Sequence, residues 1–173
     1  IDMTIYLRSG AVDLPDSKAG LTDLLDRTII RGGTERYAPV ELAGFLDDNA
    51  IRMGVDIGLE ETAVKLSVMS ADWEKGLGIL REVLTRPRFD AKVLGVAKEQ
   101  EMANLRRQGE DAQAVAMREA LIQHFKGHPY GRDPLGALNS IPAITREDMI
   151  RFLCTYFVPT NMVVAISGDI QLD

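Results

Sequence analysis

Asp23, Asp26 and Arg27 are the side chains of this sequence best placed to do chemistry together. They stand at i, i+3 and i+4 within the stretch from Gly20 to Thr28, so a helix gathers them into one patch. A patch with that spacing holds a metal ion when its members are imidazoles and carboxylates. Here one member is a guanidinium. It has five donors, no acceptor and a permanent charge, so Arg27 repels a cation where a ligand would bind it. Asp23 and Arg27 are expected to pair across one helical turn instead, and Asp26 has no metal-bound water to activate. The same guanidinium disfavours a reworked site of Asp23, Asp26 and Glu99 around a harder ion such as Mg or Mn.

Other candidates carry less. His124 and His128 are four apart, but Gly127 and Pro129 interrupt any helix that would align them. Cys154 is the only cysteine, so no internal disulfide and no thiolate cage can form. It falls on the apolar side of a helix and is expected to be a small buried hydrophobe. Gly32-Gly33-Thr34 is a helix stop, because no Lys-Ser/Thr pair follows to make a phosphate loop. The net charge of -6 argues against a nucleic-acid surface, and Arg106-Arg107 is a lone basic pair. No apolar run approaches the ~18 residues of a membrane span.

The elements that must position the patch follow from periodicity. Leu21, Leu24, Leu25, Thr28 and Ile29 form the apolar stripe of a helix within Lys18 to Ile30, ended by Gly32-Gly33. Before it, Met3, Ile5 and Leu7 alternate with polar residues in a strand, and Gly10 to Ala19 is a loop. Pro39 opens a second helix to Asp47. Residues 51–58 and 62–69 alternate and read as an antiparallel hairpin turned at Glu60-Glu61. Asp72 is expected to cap a helix from Trp73 to Leu84. A long helix from Phe89 to about Leu105 is expected to break at Gly109, with another from Asp111 to Phe125. Residues 127–142 read as a loop, Thr145 caps a helix to Phe157, and Met162 to Ser167 is a final apolar strand. This order is α+β: a mostly antiparallel sheet with helices packed on one face. At 173 residues one domain is expected over 1–173. The chain opens in mid-strand at Ile1 and reads as N-terminally truncated, its first strand missing.

The stretch from Gly20 to Arg27 resembles the signature helix of the insulinase/pitrilysin family, the inverzincin zinc peptidases, which includes the mitochondrial processing peptidase. Active members carry H-x-x-E-H there, with two His on zinc and the Glu as general base. Gly33-Thr34 and Asp72-Trp73-Glu74 are similar to family positions. So is the closing pattern His128-Pro129-Tyr130-Gly131-Arg132, Leu135-Gly136, Ile144 to Asp148, Tyr156, Pro159, Asn161-Met162 and Gly168-Asp169. The resemblance implies one domain of a mitochondrial-processing-peptidase-like half, with a second homologous domain following. It also sets the departures: Asp23 at the first His, Asp26 at the Glu and Arg27 at the second His. The third ligand, a Glu on the long helix after Phe89, aligns with Gly95, and Glu99 is the nearest carboxylate considered.

The resemblance therefore implies no catalytic residue, no metal ligand and no cofactor in this domain, zinc being expected only in an active partner. The expected role is that of a non-catalytic subunit. It helps to bind peptide substrate and to form a closed chamber with a zinc-bearing homologous subunit or fused half, as a heterodimer. The alternative is a structural core protein without a role in proteolysis. Nucleic acid and membrane are not expected partners. A bacterial cytoplasm or periplasm fits, and the family leans toward the periplasm.

Overall fold

The computed structural model describes residues 1–133 and 136–170. Among these residues four strands form one antiparallel sheet in the order β2-β3-β1-β4. They are β1 (Asp2–Leu7), β2 (Arg52–Ile57), β3 (Thr62–Ser67) and β4 (Met162–Ser167). Ile5 of β1 stands opposite Val64 of β3 and Val164 of β4, and Val64 opposite Val55 of β2. This register lines up one apolar face, as the alternation of each strand requires.

Seven helices occur among the described residues: α1 (Leu21–Thr28), α2 (Pro39–Asp48), α3 (Trp73–Thr85), α4 (Ala91–Glu110), α5 (Ala112–His124), α6 (Ser140–Ala143) and α7 (Arg146–Tyr156). None of them is long and apolar enough to cross a membrane. The architecture is the expected α+β arrangement.

The α1 helix sits in the middle of the core. Leu21, Leu24, Leu25 and Ile29 are all buried, each contributing roughly 2 kcal/mol by leaving water. They pack α1 against β2, α4 and α7. Thr28 is buried with them because its hydroxyl donates to the carbonyl of Leu24 at 2.5 Å, which satisfies the polar atom inside the helix's own turn. A helix this short is unstable alone and depends on that packing.

Several expectations need correction. The long helix does not break at Gly109: α4 runs on to Glu110. One glycine inside a helix costs about 1 kcal/mol, too little to stop it. The break comes at Asp111, whose side chain accepts from the N–H groups of Gln113 and Ala114 and starts α5. Asp72 precedes α3 but makes no side-chain cap, and pairs with Lys75 at 2.7 Å instead. Residues 127–142 are not one open loop, since they hold a short 3-10 turn at Pro129–Gly131 and α6. Leu135 lies outside the described residues. Cys154 is exposed, not buried, because α7 turns Met149, Phe152 and Leu153 to the core and the cysteine falls beyond that arc. The final strand is as expected: β4 pairs with β1 at the sheet edge, with Val163, Val164 and Ile166 exposed.

Candidate functional site

The polar patch is built from two helices held at a fixed spacing. Its first helix, α1, begins at Gly20, whose φ of 88° is left-handed and open to glycine. The closing part of the chain seats this start. A Cβ on Gly136 would lie 2.4 Å from the carbonyl oxygen of Ala19, so only glycine lets that turn approach. Next to it the Ser140 hydroxyl donates to the same carbonyl at 2.8 Å. Further out, Arg132 donates to the carbonyl of Leu14 and pairs with Asp16. The second helix, α4, is started by Asp90, which accepts from the N–H groups of Lys92 and Val93.

On α1, Arg27 donates from Nε to Asp23 Oδ2 at 2.6 Å and from Nη2 to Asp23 Oδ1 at 3.4 Å. The same Nη2 lies 3.1 Å from Oε2 of Glu101 on α4. Asn104, one turn on, donates to that Oε2 at 3.4 Å. The guanidinium therefore fills the space between the two helices and bridges two carboxylates. Glu101 is fully buried, and its other oxygen, Oε1, has no hydrogen-bond partner among the described residues.

Electrostatics follows from this geometry. Burial, then the hydrogen bond and charge of Asp23, push the Glu101 carboxyl up to about 7 against the opposing pull of Arg27. Burial dominates because one shared guanidinium cannot replace the hydration of a carboxylate with no other charged donor. Asp26 faces outward beside β2. Partial burial and the charges of Asp23 and Asp56 raise it to about 6, with Arg27 and Arg31 opposing. The hydrogen bond it donates to Asp23 holds Arg27 above its already high value, so it stays charged.

Of the expected positions, Asp23, Asp26 and Arg27 lie together on α1, whereas Gly95 is not with them. It stands on α4 six residues before Glu101, about 9 Å back along the axis and on another face. A Cβ added there would meet nothing within 4 Å. Glu99 is exposed and likewise turned away. The residue that meets α1 is Glu101. Its sequence signal was its place in a stripe: Leu94, Ala97, Glu101 and Leu105 are the buried residues of α4, spaced by three and four. A carboxylate in an apolar stripe is buried against a partner. His124 and His128 flank Phe125, with ring centroids 4.7 and 6.3 Å from it, and His128 Nδ1 accepts from the N–H of Tyr130. Among the described residues no three His, Cys, Asp or Glu side chains are grouped to hold a metal ion.

The arrangement can tie α1 to α4. Beside it, β2 packs against α1 and is an edge strand of the sheet among the described residues.

A crystal structure of a peptidase M16 inactive domain from Pseudomonas fluorescens superposes with a TM-score of 0.88 at 24% identity, covering 98% of this chain and 41% of that one. A probable mitochondrial-processing peptidase subunit beta of Arabidopsis thaliana is 20% identical over 96% of this chain and 31% of its own length. An uncharacterized zinc protease of Mycobacterium leprae is 21% identical over 98% of this chain and 38% of its own. The chain thus spans less than half the length of each. The model of the insulinase family, Peptidase family M16, matches residues 2–137, and the chain belongs to that family.

Proposed function

We propose that this domain is a non-catalytic member of the family, a peptide-holding unit of an assembly whose zinc and catalytic base reside in a homologous partner half. The observation that carries the reading is Arg27. It bonds to Asp23 and to Glu101 at once, and the family resemblance aligns it with the second zinc-binding His. The donor set does not fit zinc. A cation placed between these carboxylates would have to displace a guanidinium that already occupies them and cannot lose its charge. Without a metal-bound water, Asp26 has nothing to deprotonate.

A role in holding peptide is supported by the edge of β2. An edge strand offers every second backbone N–H and C=O to an extended peptide, which adds as a further strand. This edge runs beside α1, where the corresponding active half would hold its metal. The domain then contributes binding surface and wall to a chamber completed by the zinc-bearing half, and unfolded peptides are the substrate class.

The test is reconstitution. The full-length protein is mixed with a zinc-bearing homologue from the same genome, and cleavage of an unstructured peptide is followed. Activity that requires both proteins, with zinc bound at one equivalent per pair and retained on the partner, is the expected result. Stoichiometric zinc on the protein alone, or hydrolysis by it alone, would refute the reading. Full activity of the partner alone would leave the domain a scaffold without a part in proteolysis.

A further inference from the structure

One charge is missing from the α1–α4 contact. Two carboxylates, Asp23 and Glu101, share a single guanidinium and converge on its Nη2, at 3.4 and 3.1 Å. Glu101 is fully buried, and a buried carboxylate needs both oxygens satisfied. Its Oε2 is satisfied by Arg27 and Asn104, whereas Oε1 has no donor among the described residues. A carboxylate oxygen can only accept, but a protonated one donates. Asp23 shares the Nη2 of Arg27 with Glu101, and it is the neighbouring carboxylate that can accept from a protonated Glu101.

We propose that Glu101 is a neutral acid whose Oε1–H donates to Asp23, so that one proton and one guanidinium together tie α4 to α1, and that alkaline pH removes the proton and loosens the tie. The proton makes up the charge balance: Asp23 and Arg27 cancel, and Glu101 adds none to the interior. It also gives the orphan oxygen a bond. The inference stands on the geometry of the cluster and does not depend on the peptide-holding role.

The surrounding charges are consistent with it. On α1 and just beyond it lie Asp23, Asp26, Arg27 and Arg31. From the sheet, Asp56 of β2 acts on Asp26 and is itself paired with Lys65 of β3. α7 places Met149 against Thr28, and its Asp148 is paired with Lys18. On α5, Arg118 and Glu119 pair with one another at 3.8 Å, and α6 carries no charged side chain. Among the described residues, Asp23 and Arg27 supply the main charges acting on Glu101, and the balance of burial and Asp23 over Arg27 raises its carboxyl to about 7.

The experiment is a pH titration of the full chain with 13C-labelled glutamate carboxyls, followed by NMR, with Glu101 assigned by E101Q. The expected midpoint for Glu101 is near 7, far above the other glutamates. Hydrogen-exchange protection of α1 should fall through the same midpoint, by up to about tenfold, the scale of one buried hydrogen bond. Glu101→Gln supplies a neutral head that donates and accepts, so it should keep the protection and abolish its pH dependence. Asp23→Asn should move the Glu101 midpoint down toward ordinary carboxylates. A Glu101 midpoint in the ordinary carboxylate range, or pH-dependent protection persisting in E101Q, overturns the proposal. If E101Q does not fold, Glu101 is assigned by through-bond correlation to its backbone, and the wild-type and D23N titrations decide.

Discussion

Replacing Arg27 by Met removes the guanidinium and keeps most of the stem's bulk, and its cost can be worked from the two bonds it breaks. The bond to Asp23 joins residues one turn apart on a partly exposed helix face and is worth about 0.5 kcal/mol. The bond to Glu101 is different, because Glu101 has no exposure while the Arg27 side chain keeps 34% of its own. Removing one partner of a buried pair costs about 3–5 kcal/mol, and the solvent on Arg27 places this pair at or below the low end. At about pH 8 the parent holds Glu101 largely ionised against Arg27, so R27M should lose about 3 kcal/mol. At about pH 5.5 Glu101 is neutral in both proteins, no orphan charge is left behind, and the loss should shrink to about 1 kcal/mol. The assay is urea unfolding followed by circular dichroism at both pH values, with the slope against urea unchanged between variants. An equal loss at both pH values would refute the titration of Glu101. A loss below about 0.5 kcal/mol near pH 8 would show that the guanidinium does not bridge the helices at all.

Three further outcomes follow from individual contacts. Asp90→Ala removes the acceptor for the first N–H groups of α4 and should cost about 1 kcal/mol in the same unfolding assay. At Asp148, burial opposes ionisation, but hydrogen bonds from Lys18 and Thr145 outweigh it and hold the carboxyl below its usual value. A depressed folded-state value means that stability is present above the unfolded-state value and is lost as pH falls through the folded one, so Asp148→Asn should flatten the acid limb of the stability profile. Cys154 is exposed, so a thiol reagent should modify it in the native protein nearly as fast as in urea; strong native protection would contradict the placement of α7.

How much of this was legible in the sequence depended on the range of the interaction. The stripe Leu21, Leu24, Leu25, Thr28 and Ile29 fixes α1 locally, and the alternation of β2 and β3 fixes a hairpin, because both patterns repeat within a few residues. The Asp23–Arg27 contact was readable for the same reason. The long-range partner was not. An alignment that runs through a helix without a rigid landmark slides easily, and a shift of six residues moved the facing position from Glu101 to Gly95, where a side chain would point into open space. The exposure of Cys154 was hidden differently: α7 buries only Met149, Phe152 and Leu153, a narrow arc that composition does not define.

Periodicity still held the clue to Glu101. Hydrophobic burial demands that a position spaced like Leu94, Ala97 and Leu105 be taken from water whatever its side chain, and an acid there must find a cation, a proton or both. Arg27 alone is one charge for two carboxylates. The stripe on α4 and the guanidinium on α1 therefore imply each other, and the shortfall between them is what a proton on Glu101 makes good. On this argument Arg27 and Glu101 must vary together. Arg27 replaced without Glu101 leaves a buried anion, Glu101 replaced by Leu leaves the guanidinium with Asp23 alone, and the double change R27M/E101L should recover most of the stability lost in R27M. A double-mutant cycle in which the two effects simply add would show that the residues only happen to be near one another.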